Sequence, residues 1–181
     1  MRNWFLTRIL QRKALRKIDN PHHGKYIPLR SARRAGLVIS ADIPGAAEAM
    51  KIFCRQMVQS GIEYRIFCLD LNKKVPLIDQ SLISDRAVSV IHRKDLNWYG
   101  MPKAESSRTF LQQPFDILVD MTSGKRPFPA DYILRQASAS LRIGIESNRT
   151  SQYDMTVCGK DDGAQAPELI KNIIKYLTTI H

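Results

Sequence analysis

The chain lacks several features that would assign it quickly to a class of protein. It has three cysteines, an odd number, and no Cys-x-x-Cys pair, which argues against a disulfide framework and a zinc knuckle. No apolar run approaches the roughly 18 residues that a membrane-spanning helix needs. The apolar stretch near the N-terminus is too short for a secretory signal, so we expect a cytoplasmic protein.

Nucleotide-binding and metal-binding motifs are also missing. No Gly-x-x-x-x-Gly-Lys-Ser/Thr occurs, and no Gly-x-Gly-x-x-Gly follows an apolar run. His22 and His23 are adjacent but have no spaced acid or cysteine partner, so we predict neither a metal site nor a cofactor. The length of 181 residues and the hydrophobic fraction of 44% indicate a globular chain with one main domain.

Acidic residues are almost absent from residues 1–34. This segment carries ten basic side chains and one acid, so it holds +9 of the net charge of +11. Residues 3–18 contain neither Gly nor Pro and are rich in Leu, Arg, Lys and Gln, which predicts a helix. We therefore divide the chain into a basic N-terminal helix and connector (residues 1–34) and a single α/β domain (residues 35–181).

The basic segment admits three interpretations. It binds the backbone of RNA or another polyanion. Alternatively, it lies on an anionic membrane surface through Trp4, Phe5 and Ile9, or its apolar side packs on the domain and the cations remain solvated. The polyanion interpretation depends on Arg8, Arg12, Lys13, Arg16, Lys17, Arg30, Arg33 and Arg34.

Residues 35–181 alternate between short apolar runs and helical periodicity. Strands are expected at 36–41, 64–69, 87–91, 115–121 and 141–145, with a candidate edge strand at 154–158. Helices are expected at 104–112, 130–140 and 167–178. Another should begin with Pro44 at its first position, bury a stripe that extends to Val58, and end at Gly61. The pattern predicts an α/β fold, a three-layer, Rossmann-like or flavodoxin-like open sheet of about four to five mostly parallel strands.

A distinctive pattern runs from residue 95 to residue 144. It consists of Asp-Leu-Asn-Trp-Tyr-Gly-x-Pro-Lys at 95–103, Pro-Phe-Asp-Ile-Leu-Val-Asp at 114–120, Phe-Pro at 128–129 and Arg-Ile-Gly at 142–144. The pattern resembles a family of bacterial proteins, mostly from the Bacteroidetes, that is known only as a domain of unknown function. The resemblance implies an intracellular protein of this size and carries no activity.

Polar residues follow several predicted strands at their carboxyl ends, where open α/β sheets bind ligands. Trp98 and Tyr99 lie in a loop that can stack on a base or sugar. Alternatively, Trp98 fills the core and the residues around it only form a turn. The candidate ligand-binding residues are Asp42, Asp95, Asn97, Trp98, Tyr99, Lys103, Asp120, Ser123 and Lys125.

Two functions are consistent with these patterns. The first is a non-catalytic binding or assembly module that docks on RNA, another polyanion or a protein partner through residues 2–34. The second is a small enzyme or ligand-binding domain that holds a phosphorylated or nucleotide-like ligand at the carboxyl ends of the strands. The lack of a catalytic motif favours the first, and no catalytic residue is assigned.

Overall fold

The computed structural model describes residues 4–72, 82, 84–122, 126–145, 152–157 and 165–179. A helix, α1 (Trp4–Arg16), comes first. The elements that follow are β1 (Arg34–Ser40), α2 (Ala46–Gln59), β2 (Glu63–Asp70), β3 (Val88–His92), α3 (Ala104–Leu111), β4 (Phe115–Met121), α4 (Phe128–Gln136), β5 (Ala139–Ile145), β6 (Met155–Val157) and α5 (Ala166–Thr179).

The described strands form one six-stranded sheet, in which every neighbouring pair is parallel. This confirms the predicted α/β class and open parallel sheet, and the candidate edge strand at 154–158 is present as β6, which brings the sheet to six strands. In the order β3-β2-β1-β4-β5-β6 the direction in which the strands are added reverses between β1 and β4, as in doubly wound sheets. The switch in strand order between β1 and β4 places the carboxyl ends of both strands beside the crevice where such sheets bind ligands.

Helices cover both faces of the sheet. Because side chains alternate along a strand, Leu37 and Ile39 of β1 pack in the layer of α2 and α5, whereas Val38 packs in the layer of α3 and α4. All three are completely buried. β1 therefore reads as a continuous apolar run because it lies between two cores.

The sequence pattern predicted the C-terminal end of helix α2 correctly but not its N-terminal end. Its C-terminus follows the prediction, since Gly61 adopts φ +67° and the amide of Ile62 donates to the carbonyl of Met57 at 2.9 Å. Its N-terminus does not, because the left-handed Gly45 (φ +77°) precedes the first helical residue and leaves Pro44 outside. Val58, which the periodicity placed in the core, is 67% exposed.

Helix α1 lies on the outside of α4, and none of its residues is buried. The segment that follows it, residues 17–33, is called here the connector. Asn20 of the connector donates through Nδ2 to the carbonyls of residues 135–137, at 3.0–3.2 Å, and so caps the C-terminal end of α4. The N-terminal helix is thereby attached to the domain at the point where it ends.

The connector then crosses from one face of the sheet to the other. The amide of Lys25 donates to the carbonyl of Ser140 at 2.9 Å. Leu29 is only 4% exposed and packs in the core on the side of α2 and α5. At its end, a carboxylate oxygen of Asp116 accepts from the amides of Arg33 and Arg34 at 2.7 and 3.0 Å. The connector is thus fixed at several points along its length.

Candidate functional site

The loop from residue 95 to residue 103, called the Trp98 loop, is organised by its own hydrogen bonds. Asn97 accepts through Oδ1 from the amides of Tyr99 (3.2 Å) and Met101 (2.9 Å). Gly100 takes φ +92°, which favours glycine at the turn. Trp98 does not fill the core, because it is 55% exposed. The loop therefore presents Trp98 at the surface on a defined scaffold.

Hydrogen bonds to Asp95 also hold the two ends of the Trp98 loop. The amide of His92 donates to the carboxylate of Asp95 at 2.9 Å, and the amide of Lys103 donates to the carbonyl of Asp95 at 2.9 Å. Asp95 is thus committed to holding the loop. Within the predicted ligand set, this gives Asp95 a structural role and leaves Trp98 and Tyr99 as the large contact surfaces.

A cleft of about 560 Å³ lies between α1, the Trp98 loop and the start of α4. Four aromatic side chains from distant parts of the sequence line it, namely Trp4, Trp98, Tyr99 and Phe128. The rings of Trp98 and Tyr99 meet edge to face, with centroids 5.3 Å apart. Gln11 of α1 donates to the carbonyl of Tyr99 at 2.7 Å and ties the two walls together. We call this the aromatic cleft.

Exposed cations follow the helix α1, which forms one wall of the aromatic cleft. Helix α1 contains no acid, and the guanidinium of Arg8 lies 4.7 Å from the ring centroid of Trp4. Trp4 itself is 66% exposed. The exposed cations that follow one another along α1 and into the connector are Arg8, Arg12, Lys13, Arg16 and Lys17.

The predicted polyanion set divides into two groups. One group consists of five cations, of which four are in α1 and the fifth, Lys17, is the first residue of the connector. Arg30, Arg33 and Arg34 lie at the amino end of β1, whereas the Trp98 loop follows the carboxyl end of β3, which runs parallel to it. Arg34 also pairs with Glu63 at 3.8 Å. The second group is therefore at the opposite end of the strands from the Trp98 loop, which lines the aromatic cleft.

A second cluster of polar side chains is buried beside β4. Arg126 contacts Asp120 at 2.7 Å, Asp131 at 3.1 Å and Gln152 at 3.0 Å. Its side chain is only 7% exposed, and the hydroxyl of Tyr153 donates to Asp120. We call these five residues the charge network. Its two carboxylates share one guanidinium, which makes Arg126 the centre of the cluster.

Asp120 is the most deeply buried carboxylate of the charge network, at 2% exposure. Burial raises its pKa, although the guanidinium of Arg126 and hydrogen bonds from Thr122 act in the opposite direction. Thr122 donates to one carboxylate oxygen through its amide (2.8 Å) and its hydroxyl (2.6 Å). Because the other oxygen accepts from Arg126 and Tyr153, both oxygens of Asp120 are engaged within the protein.

The predicted ligand-binding residues fall at three places. Asp95, Asn97, Trp98, Tyr99 and Lys103 belong to the Trp98 loop. Asp120 belongs to the charge network, and the exposed Asp42 follows β1 at the switch in strand order. Ser123 and Lys125 lie outside the described residues, as does Cys158. Among the described residues, no group of three His, Cys, Asp or Glu side chains is arranged to hold a metal ion.

Several residues of these sites were not predicted. Trp4 was considered only as a membrane anchor and Phe128 only as part of the Phe-Pro pattern, and nothing in the sequence places either beside Trp98. Arg126, Gln152 and Tyr153 of the network form no recognisable motif. The sequence does give one indication of a polar site, at Arg142. A cation inside the apolar strand Leu-Arg-Ile-Gly-Ile requires polar groups around it.

Comparisons with known proteins give a family and no activity. Residues 2–180 match the family described as "Family of unknown function (DUF6913)". No curated protein matches the chain. The match covers nearly the whole chain, including the basic helix.

Proposed function

The chain belongs to this family of unknown function, and from the geometry of its surface we propose that it is a non-catalytic module that binds single-stranded RNA. The RNA lies in the aromatic cleft and along α1. One observation carries the proposal: four aromatic side chains from three separate segments line one cleft, beside a helix that has only basic charges. In keeping with the sequence resemblance, we further propose a bacterial, cytoplasmic protein.

The chemistry of single-stranded RNA matches this surface. Proteins that bind single strands stack bases on aromatic rings and hold the phosphates with Lys and Arg. Trp4 and Trp98, at 66% and 55% exposure, offer ring faces to stacked bases. Arg8, beside Trp4, is placed to contact the phosphate next to a stacked base. Such binding is tolerant of sequence, because every base has a ring face.

An anionic membrane is the main competing partner for α1. Trp4, Phe5, Leu6 and Ile9 are 44–66% exposed, which suits a helix lying at a lipid surface. The cleft favours RNA, however, because Tyr99 and Phe128 line a concave space that a flat bilayer does not enter. No helix in the described ranges is long and apolar enough to cross a membrane.

The first experiment measures fluorescence anisotropy of a labelled oligoribonucleotide of about ten nucleotides with the full-length chain, in about 50 and about 200 mM salt. If the five exposed cations each neutralise one phosphate, log Kd changes with log salt by about 0.7 per contact, so affinity falls roughly 100-fold between the two conditions. Lys13→Gln should lower that slope by about 0.7. Lys171→Gln, on the remote helix α5, is the matched control and should leave the slope unchanged.

The aromatic contribution is tested with Trp98→Ala. Loss of one stacked base weakens binding by about 1–3 kcal/mol, or roughly 5- to 150-fold in Kd. Tyr176→Ala removes an aromatic side chain of similar exposure (52%) on α5 and should have no effect. Point variants are preferable to a truncation at residue 34, because the truncation removes Leu29 from the core.

Two results would contradict the proposal. The first is no RNA binding at low salt, with binding instead to vesicles that contain about one third anionic lipid, which would assign α1 to a membrane surface. The second is RNA binding that Trp98→Ala leaves unchanged, which would remove the aromatic cleft from the site.

A further inference from the structure

A second cavity, of about 280 Å³, lies between β4, β5, the end of α4 and the connector. It shares no lining residue with the aromatic cleft. Leu118 and Leu134 form its apolar side, and Asn20 and His22 of the connector line it as well. Three arginines reach it, namely Arg126, Arg135 and Arg142. The cavity is thus enriched in cations, and its volume is that of a small ligand.

Two of the three arginines have carboxylate partners in the protein. Arg126 contacts Asp120 and Asp131 in the charge network. Arg135 contacts Asp131 through Nε at 3.3 Å. The nearby His22 also has a partner, since its Nε2 lies 2.8 Å from Asp154. The positive charge on this side of the cavity is therefore compensated within the fold.

Arg142 is different. Its terminal nitrogen Nη2 donates to the carbonyl of Ala137 at 2.9 Å, but in the described part of the chain no carboxylate lies within 4 Å of its guanidinium. Its Nε is buried and has no hydrogen-bond partner among the described residues. Burial lowers the pKa of Arg142, and the nearby charge of Asp154, whose carboxylate accepts from the Arg142 backbone amide at 2.7 Å, acts in the opposite direction. A buried donor without a partner, on a guanidinium without a direct ion pair, is costly in a folded protein unless something else satisfies it.

We propose that this cavity binds a small oxyanion, a carboxylate or phosphate group, as the counter-charge of Arg142. A guanidinium is the side chain best shaped to hold two oxygens of such a group at once. Arg135, whose side chain is 41% exposed, lines the same cavity. Asp120 does not repel the ligand strongly, because both of its oxygens already accept hydrogen bonds from Thr122, Arg126 and Tyr153.

Binding requires a local movement and has a consequence for the connector. Nε of Arg142 is enclosed, so its side chain must rotate toward the cavity when the oxyanion enters. Asn20 and His22 line the cavity from the connector, so an occupied cavity should hold the connector more firmly against β5. Hydrogen exchange at the amide of Lys25, which bonds Ser140, reports that change directly.

The test is calorimetric titration of the full-length chain with inorganic phosphate, acetate and malonate in separate experiments. Binding of phosphate alone, or of the carboxylates alone, identifies which oxyanion the cavity takes. Arg142→Gln should weaken binding roughly 10- to 100-fold, the usual loss for a hydrogen bond to a charged group. Arg142→Lys keeps the charge but not the forked guanidinium, so its affinity for the oxyanion should lie between those of wild type and Arg142→Gln. Arg108→Gln, on the surface of α3, is the matched control and should bind like wild type.

A second measurement separates binding from folding. Arg142→Gln removes a partly buried guanidinium that has no direct ion pair, along with one hydrogen bond, so the melting temperature without ligand should change little. Slower exchange at Lys25 with ligand, lost in Arg142→Gln, completes the expected result. Absence of heat with every oxyanion, or equal affinity in wild type and Arg142→Gln, would overturn the proposal. RNA binding at the aromatic cleft should be unaffected by Arg142→Gln, so the two sites can fail independently.

Discussion

Replacement of Arg126 by methionine tests the charge network most directly. The change removes a guanidinium that contacts two carboxylates and Gln152, and it leaves Asp120 at 2% exposure without a cation. Removing one partner of a buried ion pair costs about 3–5 kcal/mol, because the remaining charge is left desolvated. We expect the free energy of unfolding to fall by that amount at neutral pH, measured by urea denaturation.

The pH dependence of this loss distinguishes electrostatics from packing. Burial already raises the pKa of Asp120 in the folded protein, and Arg126 is the largest influence that lowers it. Without Arg126 the folded pKa rises further above the unfolded one, so Asp120 binds its proton more tightly in the folded state. Its contribution to stability is then present below the unfolded pKa and is lost as pH rises toward the folded pKa. The difference between wild type and Arg126→Met should therefore be small near pH 4 and grow by up to about 1.4 kcal/mol per pH unit.

Two further variants complete the experiment. Arg135→Met removes a cation whose side chain is 41% exposed and contacts only Asp131 in the network, so its cost should stay below about 1 kcal/mol. Adding Asp120→Asn to Arg126→Met should restore part of the stability at pH 7, because an amide needs no cation. A loss that is the same at pH 5 and pH 7, with no recovery in the double variant, would refute the electrostatic explanation.

Three other predictions concern separate parts of the fold. Gly144→Ala brings a Cβ within 2.4–2.6 Å of the ring of Tyr153, so it should lower the free energy of unfolding in urea by about 1–3 kcal/mol. Asn20→Ala uncaps α4 and should cost about 1 kcal/mol, with faster hydrogen exchange at the amide of Lys25; unchanged exchange would show that the connector does not depend on this cap. Burial raises the pKa of Cys68 to about 12, so alkylation at neutral pH followed by peptide mass spectrometry should leave it unmodified in the folded chain and modified in urea.

The fold was largely predictable because buried parallel strands are short apolar runs that stand out from helical periodicity. β4 has the predicted bounds, whereas the prediction for α4, residues 130–140, was wrong at both ends. α4 ends at Gln136, and Ala139 already pairs with Phe115 of β4. Local propensity does not separate Ala and Ser in a helix end from the same residues at a strand start. The register with β4 decides the boundary there.

The candidate sites were predictable only where their residues are neighbours in sequence. Trp98 and Tyr99 were predicted as ligand-binding residues because they are adjacent aromatic residues in a polar loop. Trp98 is exposed, as stacking requires. Their partner Trp4 lies more than ninety residues away and reaches the cleft only through the packing of α1 on α4. In the charge network, Arg126 follows Asp120 by only six residues in sequence, whereas Gln152 and Tyr153 come from a later segment. Their contacts with Arg126 and Asp120 depend on the packing of that segment beside β4, which no local pattern predicts.

The path of the connector also determines when the chain can finish folding during synthesis. The hydrogen bond from the amide of Lys25 cannot form until Ser140 has been synthesised. The turn at Leu29–Ser31 contacts α5, which is synthesised later still. The helix α1 and the connector therefore lack these partners while the domain is being translated, and they carry exposed Trp and basic side chains throughout that time. Contacts so distant in sequence form slowly. Docking of α1 and the connector is thus a late step of folding, although they are synthesised before the domain.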